Sequence, residues 1–171
     1  MADKPAPLVG ILMGSDSDLP VMKETAATLE KFGVSFEVLI SSAHRSPART
    51  SEYARGAVGR GLKVIIIGAG GAAHLGGVIA AETTLPVIGV PMATTTLGGL
   101  DSLLSIVQMP AGIPVACTAI GKAGAVNAAI LAVQILATHD AALARKLADH
   151  KESLAKSVLE KSEKVRREFE T

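Results

Sequence analysis

Five short apolar runs divide this chain, and each ends in a turn of glycine or small polar residues before a helical segment begins. The runs are Leu8 to Met13, Ser35 to Ile40, Lys63 to Ile67, Pro86 to Val90 and Pro114 to Thr118. Lys63 to Ile67 is the richest in β-branched residues and reads as a central strand buried on both faces. Strands that alternate with helices imply right-handed βαβ units and a parallel sheet covered on both sides. The expectation is an α/β fold: a three-layer sandwich around a five-stranded parallel sheet. Its flavodoxin-like strand order would be 2-1-3-4-5, and a long C-terminal helix would be added to it.

The helices are bounded by ordinary signals. Ser15-Asp16-Ser17-Asp18 offers caps ahead of a helix from Leu19 to Phe32, which Gly33 ends. Ser46-Pro47 opens a second helix toward Arg60, and Gly61 closes it. A third, of small residues, runs to about Thr83. The Thr/Gly loop from Thr94 to Gly99 leads to a fourth over Asp101 to Gln108. Gly121 introduces a fifth, Ala-rich helix over Ala123 to Ala137.

The 171 residues suit one domain spanning 1–171, and no composition shift marks a second. Hydrophobic residues make up 49% of the chain, yet Phe32, Phe36, Phe169 and Tyr53 are its whole aromatic content. The core must be small and aliphatic, so helices and sheet can approach closely. Lys and Arg number 17 against 16 Asp and Glu, which argues against a nucleic-acid partner. One phosphate needs only a local site. The single cysteine, Cys117, lies in an apolar run and reads as core, so a reducing compartment fits. Residues 1–7 are polar and Pro-rich, a flexible terminus rather than a signal peptide or anchor. Gly or Pro interrupts every long apolar run short of a membrane span. A cytoplasmic protein without a membrane partner is expected.

From Ala141 to the end the chain is dense in Ala, Lys, Glu, Arg and Leu, without Gly or Pro. Leu143, Leu154 and Val165 are spaced eleven apart, as are Leu147, Val158 and Phe169. That repeat keeps an apolar stripe nearly straight along one helix over 141–171. The stripe packs either on its own domain or on another subunit.

Ligands of such sheets bind outside the carboxyl ends of the strands. The turn after the second strand, Ser41-Ser42-Ala43-His44-Arg45-Ser46-Pro47, therefore carries the chemistry. Imidazole moves a proton near neutral pH, and guanidinium grips phosphate bidentately. Capping explains Ser46 and a turn explains Pro47, but neither needs His44 or Arg45. Gly14-Ser15-Asp16-Ser17-Asp18 either holds a phosphate on N–H groups and hydroxyls or simply caps a helix. Asp18 would repel phosphate and suits sugar hydroxyls better. Gly68-Ala69-Gly70-Gly71-Ala72-Ala73 matches G-x-G-x-x-A in form. It follows the third strand rather than the first, and no ribose-binding acid ends the next strand, so a dinucleotide site is rejected. The string allows either close backbone approach to a ligand or close helix–sheet packing. His74 either lines the same pocket or is a structural hydrogen-bonder. No cluster has metal-ligand spacing, so no metal is expected. The third strand also lacks the aspartate of a phosphoacceptor domain.

These strings, with Asp101 to Pro110 and Ala119 to Gly124, resemble the class I PurE family, the N5-carboxyaminoimidazole ribonucleotide mutases of purine biosynthesis. The resemblance runs from about Val9 to Asp140. Ser42-Ala43-His44-Arg45 and Gln108-Met109-Pro110 are its most specific parts. It implies a cofactor-free homo-octamer with exchanged C-terminal helices and active sites near subunit boundaries. The implied reaction moves a carboxyl group from N5 of the ribonucleotide to C4 of its imidazole. His44 would be the general acid/base. Ser15, Ser17 and Arg45 would bind phosphate, and Asp18 the ribose. The loop from Gly70 to Leu75, with Gly71, Ala72 and His74, would close over base and carboxylate, and Ser42 and Ala43 would also bind the substrate.

The chain departs from the family pattern at Gly76, where Pro is common, and at Asp16, where a basic or amide residue is frequent. It also departs at Met92-Ala93-Thr94-Thr95-Thr96, where Gln commonly follows the strand. These departures concern the base loop and local charge rather than the catalytic pair. Two rivals stand beside the mutase reading. One is a carboxylase of aminoimidazole ribonucleotide using free CO2. The other is a non-catalytic nucleotide-binding module.

Overall fold

The computed structural model describes residues 6–94 and 96–170; residues 1–5 of the expected flexible terminus and Thr95 of the loop after the fourth strand lie outside them. The strands are β1 (Val9–Met13), β2 (Phe36–Ile40), β3 (Val64–Ala69), β4 (Val87–Pro91) and β5 (Ala116–Cys117). The helices are α1 (Leu19–Phe32), α2 (Pro47–Gly56), α3 (Leu75–Glu82), α4 (Leu100–Val107), α5 (Lys122–Ala137) and α6 (Ala141–Phe169). All strand pairs are parallel, in the order β2-β1-β3-β4-β5. This is the expected sheet.

Side chains alternate across the strands and so serve two cores. Val9, Ile11, Met13, Val64 and Ile66 face α1, α5 and the start of α6. Leu12, Ile65 and Ile67 face Tyr53 of α2, Ile79 of α3 and Ile106 of α4. The first core shows what a chain poor in aromatics gains. Ala125, Ala128, Ala129 and Ala132 are all buried along α5, so α1 and α5 pack closely. On the other face, Gly10 leaves room for the Tyr53 hydroxyl, which donates to Glu37 Oε1 at 2.7 Å.

Three elements differ from expectation. α2 ends at Gly56, and a turn closed by Gly61 (φ +92°) replaces the run to Arg60. Gly56 and Gly59 weaken helix there. β3 continues through Gly68 to Ala69, so the glycine turn begins later than the glycines do. A Cβ on Gly68 would lie 2.5 Å from Met92 Cε and 2.7 Å from Met22 Sδ, which explains a glycine inside a strand. β5 keeps only Ala116 and Cys117, paired with Ile88 and Gly89. Pro114 has no N–H for a ladder, and the strand lies at the sheet edge.

The two readings of α6 divide along its length. Asp140 caps it, accepting from the N–H groups of Ala142 and Leu143. Leu143 and Leu147 pack on the first core. Lys146 Nζ donates to the Phe32 carbonyl at 2.7 Å, and His150 meets the Phe32 ring edge-on. Beyond that point the stripe loses its own domain. Leu154 is 54% exposed, Val158 65% and Phe169 84%. Among the described residues no helix is long and apolar enough to cross a membrane.

Candidate active site

The carboxyl edge of β1, β2, β3 and β4 surrounds a cleft of about 300 Å³. Ser15, Ser17 and Asp18 enter it after β1, and Ser42, Ala43, His44 and Arg45 after β2. Gly70, His74 and Leu75 enter after β3. Gly71 and Ala72 belong to that last turn but do not line the cleft. Ala73 N–H donates to the Gly70 carbonyl at 3.1 Å, and the crest of this tight turn points Ala72 to solvent.

The turn after β2 is held by its own serines. Ser46 Oγ donates to the Ser42 carbonyl, and Ser42 N–H donates to Ser46 Oγ. Beneath them the Ser41 and Thr50 hydroxyls share a buried hydrogen bond of 2.8 Å. This frame fixes the two following side chains. Arg45 Nε donates to Ser42 Oγ, and Nη2 donates to the Gly14 carbonyl at 2.9 Å. The guanidinium thus lies against the β1 turn, with further N–H groups left for a ligand. Its neighbour reaches the other way. His44 Nε2 lies 2.6 Å from His74 Nδ1, with the rings edge-to-face at 79°.

His74 stands at the head of α3 and makes no capping bond with its side chain. Ala73, just before it, has φ +46°, a left-handed conformation that L residues seldom adopt. Backbone strain of this kind persists where the surroundings impose it, often at functional sites. Ala73 directly precedes His74, whose imidazole faces His44.

The β1 turn does both things its sequence allows. Ser15 Oγ caps the short turn at Asp16–Asp18, accepting from Ser17 N–H at 3.3 Å, and also lines the cleft. Asp18 is only 4% exposed. Burial raises its carboxyl pKa above the ordinary range; hydrogen bonds from the Ser15 and Ser17 side oppose the shift, and Asp16 adds to it. Cys117 lies away from the cleft, its thiol pKa raised by burial. Among the described residues no group of three His, Cys, Asp or Glu is placed to hold a metal.

Gly14, Ala69 and Ala73 line the cleft from within the strings already singled out, whereas Thr94 joins it without having been named as a site residue. The signal for Thr94 is positional. It follows β4 at the same carboxyl edge that selects the others, but a Thr/Gly loop looks like plain linker.

The fold and the cleft define a doubly wound α/β protein that presents an imidazole pair and a guanidinium at the strand ends. The chain belongs to the AIR carboxylase family, which it matches over residues 8–157. It is 58% identical to the N5-carboxyaminoimidazole ribonucleotide mutase of Thermotoga maritima over 159 residues, 93% of this chain and 92% of that protein. It is 59% identical to the protein of the same name from Synechocystis sp. over 163 residues, 95% of this chain and 92% of that one. In structure it is similar to Treponema denticola PurE, with a TM-score of 0.82 at 30% identity, covering 92% of this chain and 98% of that one.

Proposed function

We propose that this chain is an isomerase of purine biosynthesis that converts N5-carboxyaminoimidazole ribonucleotide to 4-carboxy-5-aminoimidazole ribonucleotide. The observation that carries the mechanism is the contact of His44 with His74 in the same cleft as Arg45. Proton chemistry and phosphate binding then lie within one small molecule's length. The substrate itself is taken from the relatives that carry the mutase name.

Arg45, Ser15 and Ser17 hold the phosphate, and the buried Asp18 accepts from the ribose hydroxyls. His44 gives a proton to N5. The N5–carboxyl bond breaks, its electron pair stays on N5, and CO2 is released into the cleft. The C4 electron pair attacks the CO2 carbon to form the new bond. His44 then removes the C4 proton, which restores the aromatic ring. One imidazole gives and takes a proton, so the cycle closes without net transfer. Holding CO2 beside C4 replaces a bimolecular encounter by a positioned one. The reaction needs no metal or organic cofactor, because the substrate brings its own CO2.

The enzyme works as a homo-oligomer, an octamer by family resemblance, in the cytoplasm. The exposed apolar stripe of α6 supports assembly. The test is turnover of N5-carboxyaminoimidazole ribonucleotide without bicarbonate, ATP or metal, followed by formation of the 4-carboxy product. Turnover that requires bicarbonate and starts from the uncarboxylated ribonucleotide would replace the mutase by the carboxylase.

A further inference from the structure

Among the described residues, Thr94 is the one that lines the cleft from the segment after β4. We propose that its hydroxyl holds the migrating carboxyl group, which makes Thr94 a further substrate-binding residue; this rests on the mutase reading above.

The first argument is position. Arg45 follows β2, and Thr94 follows β4, with β1 and β3 between them. Three strand spacings are about 14 Å. A ribonucleotide with its phosphate on Arg45 directs its base, and the group carried by that base, toward the β3 and β4 end of the cleft.

Charge gives the second. The substrate has two anionic ends, phosphate and carboxyl, while among the described residues Arg45 is the only Arg or Lys lining the cleft. Apart from the imidazole pair, whose charge changes during the reaction, the second anion finds only neutral donors among the described lining residues. The Thr94 hydroxyl is such a donor, and it makes no hydrogen bond to another described residue.

Shape gives the third. A Cβ built on Gly70 would run into Thr94 Oγ1 and lie 3.2 Å from Thr94 Cβ. Glycine at position 70 is what lets this hydroxyl sit against the floor of the cleft.

A neutral donor also suits the reaction. The carboxyl group is anionic before and after transfer but uncharged as CO2. A fixed cation would favour both anionic ground states over the intermediate and deepen the wells on either side. A hydroxyl holds all three species with less bias. Thr94 itself makes and breaks no bond.

The experiment compares wild type, Thr94→Val and Thr94→Ser. Thr94 is exposed and valine is isosteric, so the fold is preserved. Calorimetry measures affinity for the 4-carboxy ribonucleotide and for its uncarboxylated counterpart, and turnover assays measure how much CO2 escapes. Thr94→Val should weaken the carboxylated ligand about tenfold or more. It should leave the uncarboxylated one unchanged and raise the uncarboxylated by-product, and Thr94→Ser should restore all three. Gly70→Ala, which must displace the Thr94 side chain, should act like Thr94→Val. Equal weakening of both ligands would reduce Thr94 to a brace for the Gly70 loop and overturn the inference. So would a Thr94→Val protein indistinguishable from an active wild type, with the mutase reading intact. A wild type that binds neither nucleotide overturns the reading and the inference together.

Discussion

His44 Nε2 and His74 Nδ1 face each other at 2.6 Å, so one nitrogen of the pair must carry the proton that the other accepts. The contact fixes the tautomer of both rings as a unit. His44 Nδ1 and His74 Nε2 make no hydrogen bond to the other described residues. A proton arriving at one ring can therefore be matched by a shift across the pair, which suits a group that must first give and then take.

Replacing His44 by Asn should abolish turnover and spare nucleotide binding. Asn keeps a hydrogen-bonding group of similar reach but cannot shuttle a proton. The expected loss in kcat is about a hundred- to ten-thousand-fold, measured with saturating substrate. Substantial residual activity would move the shuttle to His74.

Arg45→Ala should raise KM more than it lowers kcat. The phosphate contact proposed for it would persist from ground state to transition state and so contribute uniform binding. The loss of its bond to the Gly14 carbonyl also loosens the β1 turn. Steady-state kinetics decide this: a collapsed kcat with unchanged KM assigns Arg45 a different role.

Asp18→Asn should stabilise the free protein while weakening nucleotide binding. Burial raises the Asp18 pKa, so the folded state prefers the protonated acid. The ionised form therefore costs stability above the folded pKa. That cost fades as pH falls through the folded value and is gone below the ordinary carboxylate pKa of 3.8. Asn removes it at neutral pH. Thermal melts at pH 7 should show Tm up by roughly 2–4 °C, with the gap to wild type narrowing in acid. A lower Tm at pH 7 would mean that the charge is stabilised by partners the free carboxylate retains.

Removing residues after His150 should lower the oligomer order without unfolding the domain. Leu143, Leu147, Lys146 and His150 keep the root of α6 docked, while the exposed stripe from Leu154 onward is lost. Light scattering reads the assembly and circular dichroism the fold. An unchanged assembly would remove α6 as its determinant.

The strand order and helix positions were legible in the chain because local signals agreed with one another. β-Branched runs, capping residues and terminal glycines all pointed to the same alternation, and α1 runs from Leu19 to Phe32 as read. The motif residues were legible for a related reason: ligands gather at strand ends, so turns rich in Ser, His and Arg stand out there. Three-dimensional packing decided the rest. No spacing predicts that His44 and His74, thirty residues apart, share a hydrogen bond. That depends on β1 lying between β2 and β3. Thr94 joins the cleft because Gly70 leaves room above β4, a relation between two strands rather than within either. The hendecad stripe of α6 is continuous in sequence, yet only its first turns meet the domain, because α1 ends at Phe32 and offers nothing further to cover it. Sequence sets which face of an element is apolar; the length and placement of its neighbours decide how much of that face is buried.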